Sequence, residues 1–148
     1  MNTIRLRHAA IPLSILTTCI AAWAQTNTPT VLSQPKVYAI DQTPPTKSPN
    51  GTESRSLLRG TLTTGESVAA HESTQPVGAD PVALHPIHHS ELIVVREGEV
   101  MFDHDGTSEK AGPGDVIYVP LGTIHRLRNV GTVPAKYVVV AIGGDIKK

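Results

Sequence analysis

The chain has 148 residues, 13 basic against 13 acidic side chains, a formal charge of zero with its seven His neutral, and an aromatic content of 3%. That length holds one compact domain with short appendages and no second core. The balanced charge offers no basic stripe for phosphates and the few rings cannot make a stacking platform, so nucleic acid is not an expected partner.

The chain starts with Arg5, Arg7 and His8, continues through an apolar stretch from Ala9 to Trp23, and reaches Ala22-Trp23-Ala24. A basic start, an apolar middle and a small-residue end make residues 1–24 a secretory signal peptide, cut near Ala24, and the mature protein periplasmic or secreted. Pro12 and several Ser and Thr interrupt the stretch, which is also short of the ~20 apolar residues a spanning helix needs, so no stable membrane span is expected after processing. Lipoprotein processing at Cys19 is the alternative, although Thr18 is bulkier than the residues that usually precede such a site. Removal of the leader takes away the only Cys and the only Trp, leaving packing rather than disulfides to hold the fold. It also takes two of the 13 basic residues and no acidic one, which leaves 11 against 13 and a balance of −2.

Residues 25–54 are dense in Pro, Thr, Ser and Asn and read as a mostly disordered arm. Its apolar patch, Val37-Tyr38-Ala39-Ile40, could dock as an added edge strand. Residues 55–143 form the domain and 144–148 a tail. Short β-rich segments are expected at Ser56–Leu62, Ser67–Glu72, Ser90–Arg96, Val100–His104, Val116–Val119, His125–Asn129 and Ala135–Ile142. Asp105-Gly106 has the residue types of a two-residue hairpin turn. This spacing, with no long helical periodicity, predicts an all-β sandwich or barrel.

His85, His88 and His89 precede one strand, with Glu91 close behind, and His125 follows a turn. Alternate residues of a strand share a face, so His85, Ile87, His89 and Glu91 project one way and His88 and Ser90 the other. His125, Leu127 and Asn129 likewise share a face. If both odd-numbered faces point inward, His85, His89, Glu91 and His125 converge as three imidazoles and a carboxylate. Such a set accepts a divalent transition metal, whether Fe, Mn, Ni, Cu or Zn, with positions left for water or a ligand. Parity favours His89 over His88 as the second imidazole, although a loop before the strand could turn either inward. His71 and His104 lack a partner at ligand spacing and read as ordinary hydrogen-bonded histidines. Leu92, Val94, Val100, Ile117, Val119, Leu127, Val138 and Val140 are expected to furnish an apolar lining. Tyr118, Arg96 and Arg126 are candidate polar contacts, each more readily structural.

The segment from Gly112 to Asn129, GPGDVIYVPLGTIHRLRN, matches the second cupin motif, G-x5-P-x-G-x2-H-x3-N, at Gly114, Pro120, Gly122, His125 and Asn129. The segment from His85 to Gly98, HPIHHSELIVVREG, resembles the first cupin motif at His85, Glu91 and Gly98, but Ile87 stands where the common pattern has its second His. The sequence is similar to a cupin variant, H-x-I-x-H-x-E, in which the missing imidazole comes two residues later, here His89. The resemblance spans about residues 56–142 and implies a single cupin-type antiparallel β-barrel, a double-stranded β-helix or jelly roll. It also implies a metal site made of His85, His89, Glu91 and His125 and a small-molecule ligand or substrate; a homodimer is compatible with it. Cupins include dioxygenases, isomerases, decarboxylases and binding proteins, so the fold alone names no reaction. Glu91 is the candidate catalytic residue, because in the flavonol-cleaving cupins this chain resembles a carboxylate that swings off the metal takes a substrate proton. The expected function is therefore a metal-dependent oxidoreductase of the dioxygenase type acting on a small oxygenated molecule; the alternative is a module that binds metal or ligand without turnover.

Overall fold

A computed structural model describes residues 30–144 and residue 146; residues 1–24, expected to be a signal peptide, and Cys19 among them lie outside the described residues. The chain reverses where its sequence permits positive φ. Asp105 at φ 45° and Gly106 at φ 80° make the tight turn between β7 (Val100–His104) and β8 (Thr107–Ala111), the paired positive angles that suit a two-residue hairpin.

In chain order the other elements are β1 (Val31–Leu32), a 3-10 turn at Ile40–Gln42, β2 (Thr46–Lys47), β3 (Glu53–Leu62), β4 (Ser67–Gln75), β5 (His85–Pro86), β6 (Ser90–Glu97), β9 (Val116–Val119), β10 (Ile124–Asn129) and β11 (Ala135–Ile142). They form two sheets. The larger, seven-stranded one runs β1-β3-β4-β11-β6-β9, with β2 also paired to β3; the smaller runs β5-β10-β7-β8. This is the expected all-β architecture, two mainly antiparallel sheets facing each other. Residues 30–52 contribute β1, which pairs in parallel with β3 through Val31 and Leu32, and β2, which pairs antiparallel with it. The strand-forming residues of this segment are thus not those of the Val37–Ile40 patch.

The core lies between the sheets. Ile93, Val95, Tyr137, Val139, Ile117 and Val119 from the larger sheet meet Val100, Phe102 and Leu127 from the smaller. Ile93, Val95, Val100 and Val119 are less than 2% exposed, and enclosing each is worth about 1.5–3 kcal/mol relative to leaving it in water. The inward face of β6 and β11 is therefore the odd-numbered one. Leu92 and Val94 are 38% and 36% exposed and Val138 and Val140 lie on the same outer side, which corrects their expected place in the cavity lining.

Two of the motif residues act on the backbone. Gly98 sits at φ 72°, and a Cβ there would come within 2.7 Å of the Pro134 carbonyl oxygen and 2.8 Å of Ala135 Cα. Asn129 donates through Nδ2 to the carbonyls of Gln75 (3.0 Å) and Val133 (2.9 Å) and accepts from the Gly131 amide (2.9 Å). It thereby ties the end of β10 to the end of β4 and to the loop leading into β11.

Candidate functional site

β5 is only two residues long, yet it fixes the first histidine: His85 is the cross-strand partner of His125 on β10, and their rings lie 5.1 Å apart. The next odd position, Ile87, donates its amide to the Thr123 carbonyl and accepts from the Gly122 amide. Its side chain is 5% exposed within the core cluster. The place of the common second imidazole is therefore an apolar plug. After the bend at His88 and His89, β6 carries Glu91 into the barrel opposite Ala141 and Val119.

Glu91 is the hub of the site. His89 Nε2 lies 3.0 Å from Glu91 Oε1, and His125 Nε2 lies 3.7 Å from Oε2. His88 is exposed and His89, in the same bend, half-buried beside Glu91. His125 is 4% exposed, and its Nδ1 has no hydrogen bond of ordinary geometry among the described residues. Burial holds the His125 pKa below its usual value, opposed by the nearby Glu91 carboxylate. At neutral pH its ring is accordingly an uncharged donor.

The donor set suits a borderline divalent metal: imidazole nitrogen and carboxylate oxygen bind at ~2.0–2.2 Å, which puts neighbouring donors of a tetrahedral ion roughly 3.4 Å apart. The separations of 3.0 and 3.7 Å bracket that value. Among the described residues no three His, Cys, Asp or Glu side chains stand together within reach of one ion. The donors occur instead as pairs, two of which share Glu91, and side-chain rotation would be required for His85 to join them.

The structure adds residues that the sequence did not single out. His71, expected to be an ordinary histidine without a partner, points from β4 into the same cavity as His85 and Glu91. Burial lowers its pKa, Glu91 opposes that, and His89 adds to it. Tyr137 faces the cavity from β11; burial raises its pKa, a hydrogen bond with Ser73 opposes the rise, and Glu91 reinforces it. The available sequence signal was the run of polar residues at alternate positions, His71, Ser73 and Gln75, on a strand face that turns out to be covered. His104 is tied to carboxylates, with Nε2 2.8 Å from Glu109 Oε1 and Nδ1 3.5 Å from Asp105 Oδ2, and its ring stacks on Phe102. Arg96 pairs with Glu72 and Arg126 with Asp103, and Tyr118 is 61% exposed; none of the three lines the cavity.

This cavity has a volume of about 250 Å³, and Ser48, Asn50 and Thr52 of the N-terminal segment form part of its wall. A larger cleft of about 570 Å³ lies beside β8 and β9, but it contains none of His85, His89, Glu91 and His125. The site is assigned to the smaller cavity because His85 and Glu91 line it.

Residues 70–141 match the family model described as Cupin domain. Over 96 residues the chain is 28% identical to an uncharacterised protein of Methanocaldococcus jannaschii, covering 65% of this chain and 77% of that one. Among solved structures it is similar to an RmlC-like cupin from Shewanella frigidimarina, with TM-score 0.61, 20% identity and coverage of 76% of this chain and 94% of the other. It is also similar to a predicted oxalate decarboxylase from Thermotoga maritima, with TM-score 0.61, 20% identity and coverage of 72% and 98%. Identities this low speak for the fold alone.

Proposed function

We propose that this chain, whose residues 70–141 match the cupin family model on an all-β cupin fold, is an exported metal-binding cupin that acts on a small oxygenated organic molecule as a dioxygenase-type oxidoreductase. The observation that carries this reading is the Glu91 carboxylate inside the barrel with an imidazole Nε2 on each side, 3.0 Å from His89 and 3.7 Å from His125. His85, His89, Glu91 and His125 would hold the metal, and His71 stands in the same cavity. When bound, a divalent transition metal supplies Lewis-acid or oxygen-activating chemistry.

The chain's own residues supply the rest. The enclosed side chains of Ile93 and Val139 and the plug at Ile87 keep bulk water from the inner wall. Glu91, once it swings off the metal, can take a proton at Oε1 or Oε2 from a ligand hydroxyl. The test begins with metal analysis of the protein and of its His125→Ala and His89→Ala variants; a stoichiometric transition metal lost in both is expected. Oxygen uptake with flavonol, enol and thiol substrates, after loading with Fe, Mn, Ni or Cu, then tests turnover, and background rates throughout would overturn the enzymatic reading.

Ile87 favours a second reading, a binding module without turnover, because it removes one donor from the common set. Ligand-dependent thermal shifts with no product would support that reading, and any turnover would end it. Pairing of two copies is proposed for the outer face of the larger sheet, where Leu92, Val94, Val116 and Tyr118 are 36–61% exposed; light scattering reads the mass directly. Export is tested by the mature N-terminus, which should begin after Ala24, with lipid on Cys19 as the contrary result.

A further inference from the structure

β11 ends at Ile142, the cross-strand partner of Ser90 at the start of β6. The chain stays on the barrel beyond that point. The Gly143 amide donates to the Ser67 carbonyl at 2.8 Å, and Ile146, two residues past Gly144, is only 7% exposed. Between these two holds, Gly144 passes the bend at His88 and His89 more closely than any side chain would allow. A Cβ at Gly144 would overlap the His88 carbonyl oxygen and come within 2.7 Å of the carbonyl carbon and 2.8 Å of His89 Cα. Gly144 is also at φ 58°, in the left-handed region that glycine enters without steric cost.

The contact matters because of what the bend carries. Glu91 is fixed by its ladder, with Ala141 on one side and Val119 on the other. His89 lies between β5 and β6 and has no strand to aim it, yet its Nε2 stands 3.0 Å from Glu91 Oε1. The atoms that Gly144 approaches are backbone atoms, which cannot swing aside as the end of a side chain does. An added methyl must therefore shift either the bend or the segment after β11, and that segment is held at Ser67 and by the burial of Ile146. The bend is what gives way. Gly143 supplies the contrast, because it too has a positive φ, 72°, but a Cβ there meets nothing within 4 Å.

We infer that Gly144 is a positioning residue for the site: its close approach to His88 and His89 sets the bend from which the His89 imidazole reaches Glu91. The consequence for metal binding rests on the reading of His89 as a donor; the placement of the imidazole does not. Groups that orient a ligand without touching the ion are worth ~10–100-fold in metal affinity, and Gly144 acts in that way through its backbone alone.

The test uses the protein expressed from the full chain and compares Gly144→Ala, Gly143→Ala, His89→Ala and the Gly144→Ala/His89→Ala pair. Zinc affinity is measured by competition with a chelator, and modification of His89 by diethyl pyrocarbonate is followed in metal-free protein by peptide mass spectrometry. Gly144→Ala is expected to weaken zinc binding at least about tenfold and to speed His89 modification several-fold, since an imidazole turned away from Glu91 is easier to reach. Gly143→Ala, which adds the positive-φ strain without the overlap, should leave both at parent values. In the His89→Ala background Gly144→Ala should cost no further affinity, the non-additivity of residues that act through one another. Equal effects of the two glycine variants, or an undiminished loss of affinity without His89, would overturn the inference. If the parent binds no zinc, the metal reading fails and the modification rates decide: a rise in Gly144→Ala alone supports the positioning role, and unchanged rates overturn it. Should Gly144→Ala not fold, Ile146→Ser, which loosens the segment without adding an atom at the bend, should speed His89 modification, and an unchanged rate would overturn the inference.

Discussion

Asp103 lies on the outer face of the smaller sheet, the sheet that positions His125, and it is 7% exposed between two guanidinium groups. Its carboxylate accepts from Arg126 Nε at 2.8 Å, from Arg128 Nε and an Nη at 2.6 and 2.9 Å, and from Ser108 Oγ at 2.7 Å. These contacts, the Arg128 hydrogen bonds first, hold the Asp103 carboxyl far below the usual carboxylate range. Asp103→Asn removes the charge and turns an amide nitrogen toward a cation. Hydrogen bonds to charged groups are worth about 1.5–3 kcal/mol each. The Arg side chains are 30–32% exposed, so water recovers part of the loss, and about 3 kcal/mol is expected, between an exposed ion pair and a buried one. The sign with pH follows from a depressed folded-state pKa: the contribution is complete above the unfolded value of ~3.9 and is lost as pH falls below it. Urea unfolding followed by circular dichroism should therefore show the full gap between parent and variant near neutrality and a gap smaller by about 1 kcal/mol near pH 3. A neutral-pH loss under about 1 kcal/mol, or a gap that widens in acid, would refute the reasoning.

Glu91→Gln keeps the shape of the hub but not its charge, and metal affinity measured by competition with a chelator should fall by more than about tenfold; unchanged affinity would remove Glu91 from the ligand set. Ile87→His restores the imidazole of the common cupin pattern at the cost of a buried apolar side chain, so a loss of about 1–3 kcal/mol in urea unfolding should accompany tighter metal binding. A variant that is destabilised yet binds metal no better would show that position 87 cannot reach the site. Gly98→Ala forces a Cβ to within 2.7 Å of the Pro134 carbonyl oxygen at positive φ and should cost about 2–4 kcal/mol by thermal or urea unfolding; a neutral result would mean the β6–β7 turn relaxes freely.

The strands with a distinct residue signature were legible from the chain. β7, β9 and β11 begin and end at the expected residues, Val100–His104, Val116–Val119 and Ala135–Ile142. β8 was not legible, because Thr-Ser-Glu-Lys-Ala has little strand preference of its own and is held by its ladder to β7 across the Asp105-Gly106 turn. The same physics divides the site. Alternation put His85, His89 and Glu91 on one strand face, whereas the structure sets His85 on β5 of the smaller sheet, His89 in a bend and Glu91 on β6 of the larger, so no single strand's parity runs through the three. It also failed for Val138 and Val140 because an unbroken apolar run such as Tyr-Val-Val-Val carries no contrast between its two faces. His71 was missed for a related reason: a single imidazole on a strand looks the same whether it meets solvent or Glu91, and only the pairing of β4 with β11 decides. The contribution of residues 48–52 to the cavity wall depends on a short antiparallel contact, β2 on β3, that the polar composition of that segment conceals.

The order of strands in the larger sheet has a kinetic meaning. β11 lies between β4 and β6, paired with β4 over Ala135–Ile142 and with β6 from Lys136 on, although it is the last described strand in the chain. Until residues 135–142 have been made, β4 and β6 have no neighbour to join them, and the wall that carries His71, Glu91 and Tyr137 does not exist. Closing that sheet requires contacts far apart in sequence, the kind that form slowly. Assembly therefore waits on the final strand, and a chain interrupted before it presents two open edges to its neighbours instead of a barrel.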